Sequence, residues 1–92
     1  MPHRLSVRAE ADLKDIYRYT LHAFGPRQAE RHVRELARTF ELIAEYPQSG
    51  RVYEGETRHF LHGSHIILYR LVEDGVLIGR VFHGARGETP DD

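Results

Sequence analysis

The 92-residue chain has no cysteine, no tryptophan and a single lysine, Lys14. Without cysteine it has neither a disulfide framework nor a thiolate metal site, which fits a reducing compartment. No apolar run approaches the roughly 20 residues that span a bilayer, and Met1-Pro2-His3-Arg4-Leu5 opens into patterned sequence without an apolar leader. The expectation is a cytoplasmic protein with no membrane association. A basic surplus is missing too: 13 Lys and Arg face 14 Asp and Glu, for a net charge of −1. Dedicated nucleic-acid binders carry a positive excess, so direct sequence-specific nucleic-acid binding by the chain alone is not expected.

What is present is a foldable balance of 40% hydrophobic and 29% charged residues, which excludes an intrinsically disordered chain. The length accommodates one core, so residues 1–92 are expected to form one domain. At this size a chain hides only about 60–65% of its unfolded surface, so a stabilising partner would be no surprise.

His3-Arg4-Leu5 suits a short first strand, and Ser6 is placed to cap a helix starting at Val7. In that helix Ala9, Leu13, Ile16, Tyr17, Thr20, Leu21 and Phe24 recur at spacings of three and four. This stripe is expected to face the core, with Glu10, Asp12, Lys14, Asp15 and Arg18 turned away. Gly25-Pro26 closes this helix and opens a second. The second carries Ala29, Val33, Leu36, Ala37, Phe40, Ile43 and Ala44 on one side and stops near Tyr46, before Pro47. Two amphipathic helices of this kind need a common surface to cover.

The second half of the chain supplies it. After the turn-rich Pro47-Gln48-Ser49-Gly50, the segments Arg58–Leu61, His65–Val72 and Val76–His83 have strand character, joined by turns at His62-Gly63-Ser64 and Asp74-Gly75. The expected fold class is α+β: an N-terminal strand and a two-helix hairpin packed on an antiparallel sheet. With a two-residue loop at Asp74-Gly75, Tyr69 would face Arg80, Ile67 would face Phe82, and Leu71 would face Ile78. Arg70 and His83 would share the other side with Ile66, Leu68, Val72, Leu77 and Val81. Both faces then look apolar while the helices cover one, so the other face predicts a partner.

Histidines at 59, 62 and 65 invite a metal reading. Strand alternation places residues three apart on opposite faces, so no metal site is expected from them. Ser6 and Ser49 lack a triad or nucleophile-elbow context and read as a cap and a turn residue. Most of the aromatic residues are expected in the core; Tyr19 lies off the main stripe and suits an interface.

Leu5-Ser6 with Ala9, Asp12-Leu13, Ile16 and Tyr19; Gly25-Pro26 with Ala29; Pro47-Gln48-Ser49-Gly50-Arg51; His65-Ile66-Ile67-Leu68-Tyr69-Arg70; and Val81-Phe82-His83-Gly84-Ala85-Arg86 follow one another in order over nearly the whole chain. Together these segments resemble the ParE branch of the RelE/ParE toxin superfamily. The resemblance implies the toxin of a type II toxin–antitoxin pair, neutralised by a ParD-like antitoxin whose flexible half wraps the domain. It implies DNA gyrase as the target, blocked without covalent chemistry by the toxin and without a cofactor. On this reading Arg58, Arg70, Arg80, His83 and Arg86 contact the target, and Tyr19, Phe24, Ile66 and Leu68 contact the antitoxin. The superfamily's RelE-like members imply an alternative, a ribosome-dependent mRNA endoribonuclease in which Arg70 holds the phosphate and His83 moves a proton. That catalytic set is incomplete: Gly84 stands where such nucleases commonly carry a functional side chain, and a lysine-rich helix surface is absent. A third reading is a non-toxic remnant that only binds antitoxin.

Overall fold

The computed structural model describes residues 1–84. Its elements follow the order β1 (His3–Leu5), α1 (Val7–Phe24), α2 (Pro26–Glu45), β2 (Arg51–Glu54), β3 (Thr57–His62), β4 (His65–Val72) and β5 (Gly75–His83). The five strands form one sheet in the order β1-β5-β4-β3-β2. Four pair antiparallel, as expected, while β1 joins β5 in parallel, making the sheet mixed.

Local chemistry fixes the helix boundaries. The Ser6 hydroxyl accepts from the Ala9 amide at 3.0 Å and donates to the Gly79 carbonyl at 2.9 Å, so the residue that starts α1 also ties it to β5. Gly25, at φ 92° and ψ 171°, ends α1 and begins α2 in one residue, with Pro26 in the first turn of α2. That backbone conformation is open to glycine and strained for other residues. After α2, Tyr69 holds the connection to β2. Its hydroxyl donates to the Pro47 carbonyl and accepts from the Gly50 amide, each at 2.8 Å. Arg58 Nη1 donates to the Gly50 carbonyl at 2.9 Å.

The core lies between the helices and one face of the sheet. Leu36, Phe40, Ile43 and Ala44 from α2 and Ala9 from α1 meet Ile67, Tyr69, Val76, Ile78 and Val81, with Leu5, Leu13, Ile16 and Phe60 packed around them. Each large apolar side chain fully buried there contributes about 1.5–3 kcal/mol.

Four expectations change. Strand β2 was not anticipated; its four residues are all exposed, so no buried alternation marks it in the sequence. The turn between β4 and β5 is Glu73-Asp74, because Val72 pairs with Gly75. Gly75 is the first strand residue, at φ 154°, and the Pro2 carbonyl packs where a Cβ would stand. With a register shift between Leu68 and Tyr69, Tyr69 then faces Ile78, Ile67 faces Val81 and Leu71 faces Val76. Arg70 pairs with Leu77 and His83 with His65, so Arg70 and His83 lie on opposite faces. Lastly, α1 is rotated from the expected stripe: Asp12 is buried, while Leu21 and Phe24 are exposed.

Candidate functional site: a groove between the helix hairpin and the sheet end

The fold leaves a groove of about 570 Å³ between α1, the first turns of α2, and the ends of β4 and β5. Its α1 wall offers Ile16, Tyr19 and Phe24; α2 adds Gln28 and His32; the strands add His65, Val81, Phe82 and His83. Because β1 stops at Leu5, which pairs with Ile78, β5 beyond that point has no strand neighbour on this side among the described residues. The helices close it instead.

Asp12 makes that closure. Its Oδ2 accepts from the Val81 amide at 2.8 Å and from Arg80 Nε at 2.9 Å, and its Oδ1 lies 3.4 Å from Arg80 Nη2 and 3.7 Å from Arg8 Nε. The carboxylate side chain is 10% exposed and that of Arg80 18%. A carboxylate this buried persists only when paired and hydrogen-bonded, and here both conditions are met. The Arg80 guanidinium also sits 5.5 Å from the Phe82 ring centroid. Asp12 was expected to face outward because it is charged, although it stands three after Ala9 and four before Ile16, within the core stripe.

The residues expected to act separate into distinct settings. Tyr19 and Phe24, 58% and 61% exposed, line the groove. Ile66 is half-buried on the opposite face of the sheet, and Leu68 is buried there. Arg58 and Arg80 are engaged within the fold, at Gly50 and Asp12. Arg70 is exposed on the face away from the helices, and His83 is in the groove beside His65, with ring centroids 5.3 Å apart. The Arg70–His83 pair that phosphate cleavage would require is therefore not brought together. Arg86 lies outside the described residues. Among the described residues no three His, Asp or Glu side chains are arranged to hold a metal ion, and no helix is long and apolar enough to cross a membrane.

A family model described as the ParE toxin of the type II toxin-antitoxin system parDE matches residues 4–87. The chain belongs to the ParE toxin family. It is thereby the toxin component of a type II toxin–antitoxin system. Toxin ParE1 of Caulobacter vibrioides is 45% identical over 85 residues, covering 89% of this chain and 88% of that protein. Toxin ParE1 of Mycobacterium tuberculosis is 34% identical over 83 residues, covering 86% and 85%. A solved structure titled chromosomal ParDE TA system from P. aeruginosa superposes with a TM-score of 0.80 at 19% identity, covering 90% of this chain and 95% of that one. That likeness confirms the α+β fold of the ParE family.

Several family-like segments have a physical role in this ParE member. Gly50 of Pro47-Gln48-Ser49-Gly50-Arg51 has no room for a side chain, since a Cβ would stand 2.5 Å from the Tyr69 hydroxyl. Asp12 of Asp12-Leu13 closes the edge of β5.

Proposed function

We propose that this ParE-family toxin acts by gripping DNA gyrase rather than by catalysis, and that a ParD-like antitoxin silences it by laying a segment into the groove beside Tyr19 and Phe24. The observation that carries the reading is the separation of Arg70 from His83 by the thickness of the sheet. General acid–base cleavage of RNA needs its groups converging on one phosphate, and these two point to different sides. The groove supports the antitoxin half: it is lined by exposed aromatic rings beside a β5 edge that, among the described residues, lacks a strand neighbour past Ile78. Amphipathic helices and extended strands both bind such surfaces.

The test is controlled expression in a bacterial host. Growth arrest with induction of the DNA-damage response, relieved by co-expression of the cognate antitoxin, is the expected result. Harmless expression of folded protein would favour an antitoxin-binding remnant. Phe24→Asp, at a residue whose side chain is mostly in solvent, should keep the toxicity and weaken the rescue.

A further inference from the structure

Four of the seven histidines meet where the first half of α2 crosses the β3–β4 turn. His62 and His65 face each other across Gly63-Ser64, and His65 faces His83 across the β4–β5 ladder. His32 of α2 lies over them, its ring centroid 5.1 Å from that of His65 and 6.5 Å from that of His62. The Thr39 hydroxyl donates to the Glu35 carbonyl at 3.0 Å, which commits its one proton, so His62 Nδ1, 3.1 Å away, is the donor to Thr39. His83 Nδ1 is buried with no hydrogen-bond partner among the described residues.

Few negative groups are available to neutralise added charge. Burial holds His32 below an ordinary histidine, opposed by Glu35 on α2 and reinforced by His62. On α1, the groove-lining Asp12 is engaged by Arg80, Val81 and Arg8, and Asp15 pairs with Arg18 at 3.9 Å. Arg8 and Arg80 are the cations lining the same groove. Burial first, then His32, His83 and His62, push His65 down to about 4.

The two halves of α2 are held unequally. Leu36, Thr39, Phe40, Ile43 and Ala44 are buried in the second half, whereas Ala29 alone is buried before Leu36. We propose that the imidazole cluster is an acid-sensitive seam: protonation separates the first half of α2 from the β3–β4 turn and loosens one wall of the groove. The α1–β5 side stays closed, held by Ser6 and by Asp12 with Arg80 and Val81. The seam is a property of the chain by itself and does not depend on what occupies the groove.

The test uses the purified full chain. Histidine ring resonances are followed against pH by NMR, and amide exchange is measured at pH 6.5 and 4.5 with correction for intrinsic rates. His65 should titrate well below an ordinary histidine. Protection at residues 27–35 and 59–66 should fall by at least roughly tenfold, while residues 9–20 and 76–81 hold. Between these two pH values full linkage of a shift from 6.5 to about 4 would give roughly 40-fold; the half-open site reduces this. His65→Phe keeps a ring and removes the charge, and should abolish most of the local loosening. Titration of wild-type His65 near 6.5, an even loss of protection across the whole fold, or unchanged loosening in a folded His65→Phe variant would each overturn the proposal.

Discussion

Asp12→Ala is the sharpest perturbation of the closure that shapes the groove. It removes the acceptor of the Val81 amide and the partner of Arg80, whose side chain is 18% exposed. Removing one partner of a buried ion pair costs about 3–5 kcal/mol. Arg80 borders an open groove and can turn partly to solvent, which places the loss near the lower end, about 3 kcal/mol. Asp12→Asn keeps an acceptor oxygen for Val81 and loses the charge, so its loss should be about 1–2 kcal/mol. Against a total stability of about 5–15 kcal/mol these differences are large. Urea unfolding followed by circular dichroism, with slopes compared to confirm two-state behaviour, measures both. Combining Asp12→Ala with Arg80→Ala should cost less than the sum of the single changes. A loss below about 1 kcal/mol for Asp12→Ala, or equal losses for Ala and Asn, would refute this account of the closure.

Tyr69→Phe removes the two hydrogen bonds that the Tyr69 hydroxyl makes to the connection after α2 and leaves the buried Gly50 amide unpaired. The expected loss is about 1–3 kcal/mol, read as a fall in melting temperature of roughly 5–15 °C. Gly50→Ala should do similar damage, because its Cβ would displace the Tyr69 hydroxyl. The depressed His65 and His32 make stability pH-dependent with a definite sign. Both hold protons more weakly folded than unfolded, so their contribution is full above about pH 6.5 and is lost as pH falls, toward about 4 in the case of His65. The full linkage of about 3 kcal/mol for His65 is reduced by solvent screening to about 1–2 kcal/mol. Urea midpoints at pH 7 and 4.5 should differ less in His65→Phe than in the wild-type chain.

The elements whose ends depend on local chemistry were legible in the sequence. Ser6 caps, Gly25-Pro26 joins two helices, and Pro47 follows the end of the second; each acts on neighbours a few residues away. The β4–β5 register was not, since it depends on an irregularity between Leu68 and Tyr69 and on Pro2 packing against Gly75, a contact spanning most of the chain. The irregularity alone sets Arg70 and His83 on opposite faces, since the changed turn moves the pairing by two residues and leaves each side chain on its face, so the sequence suggested a candidate pair that pairing in space dissolves. Asp12 sat in the core stripe by spacing, and only its charge argued it outward. The histidine seam draws on α2, β3, β4 and β5, and no local pattern connects His32 with His65 and His83.

The most direct measurement is a gyrase supercoiling and DNA-cleavage assay with purified chain, run beside ribosomes carrying mRNA. The account predicts inhibited supercoiling with trapped, cleaved DNA and intact mRNA. Unaffected gyrase with mRNA cut on the ribosome would contradict it.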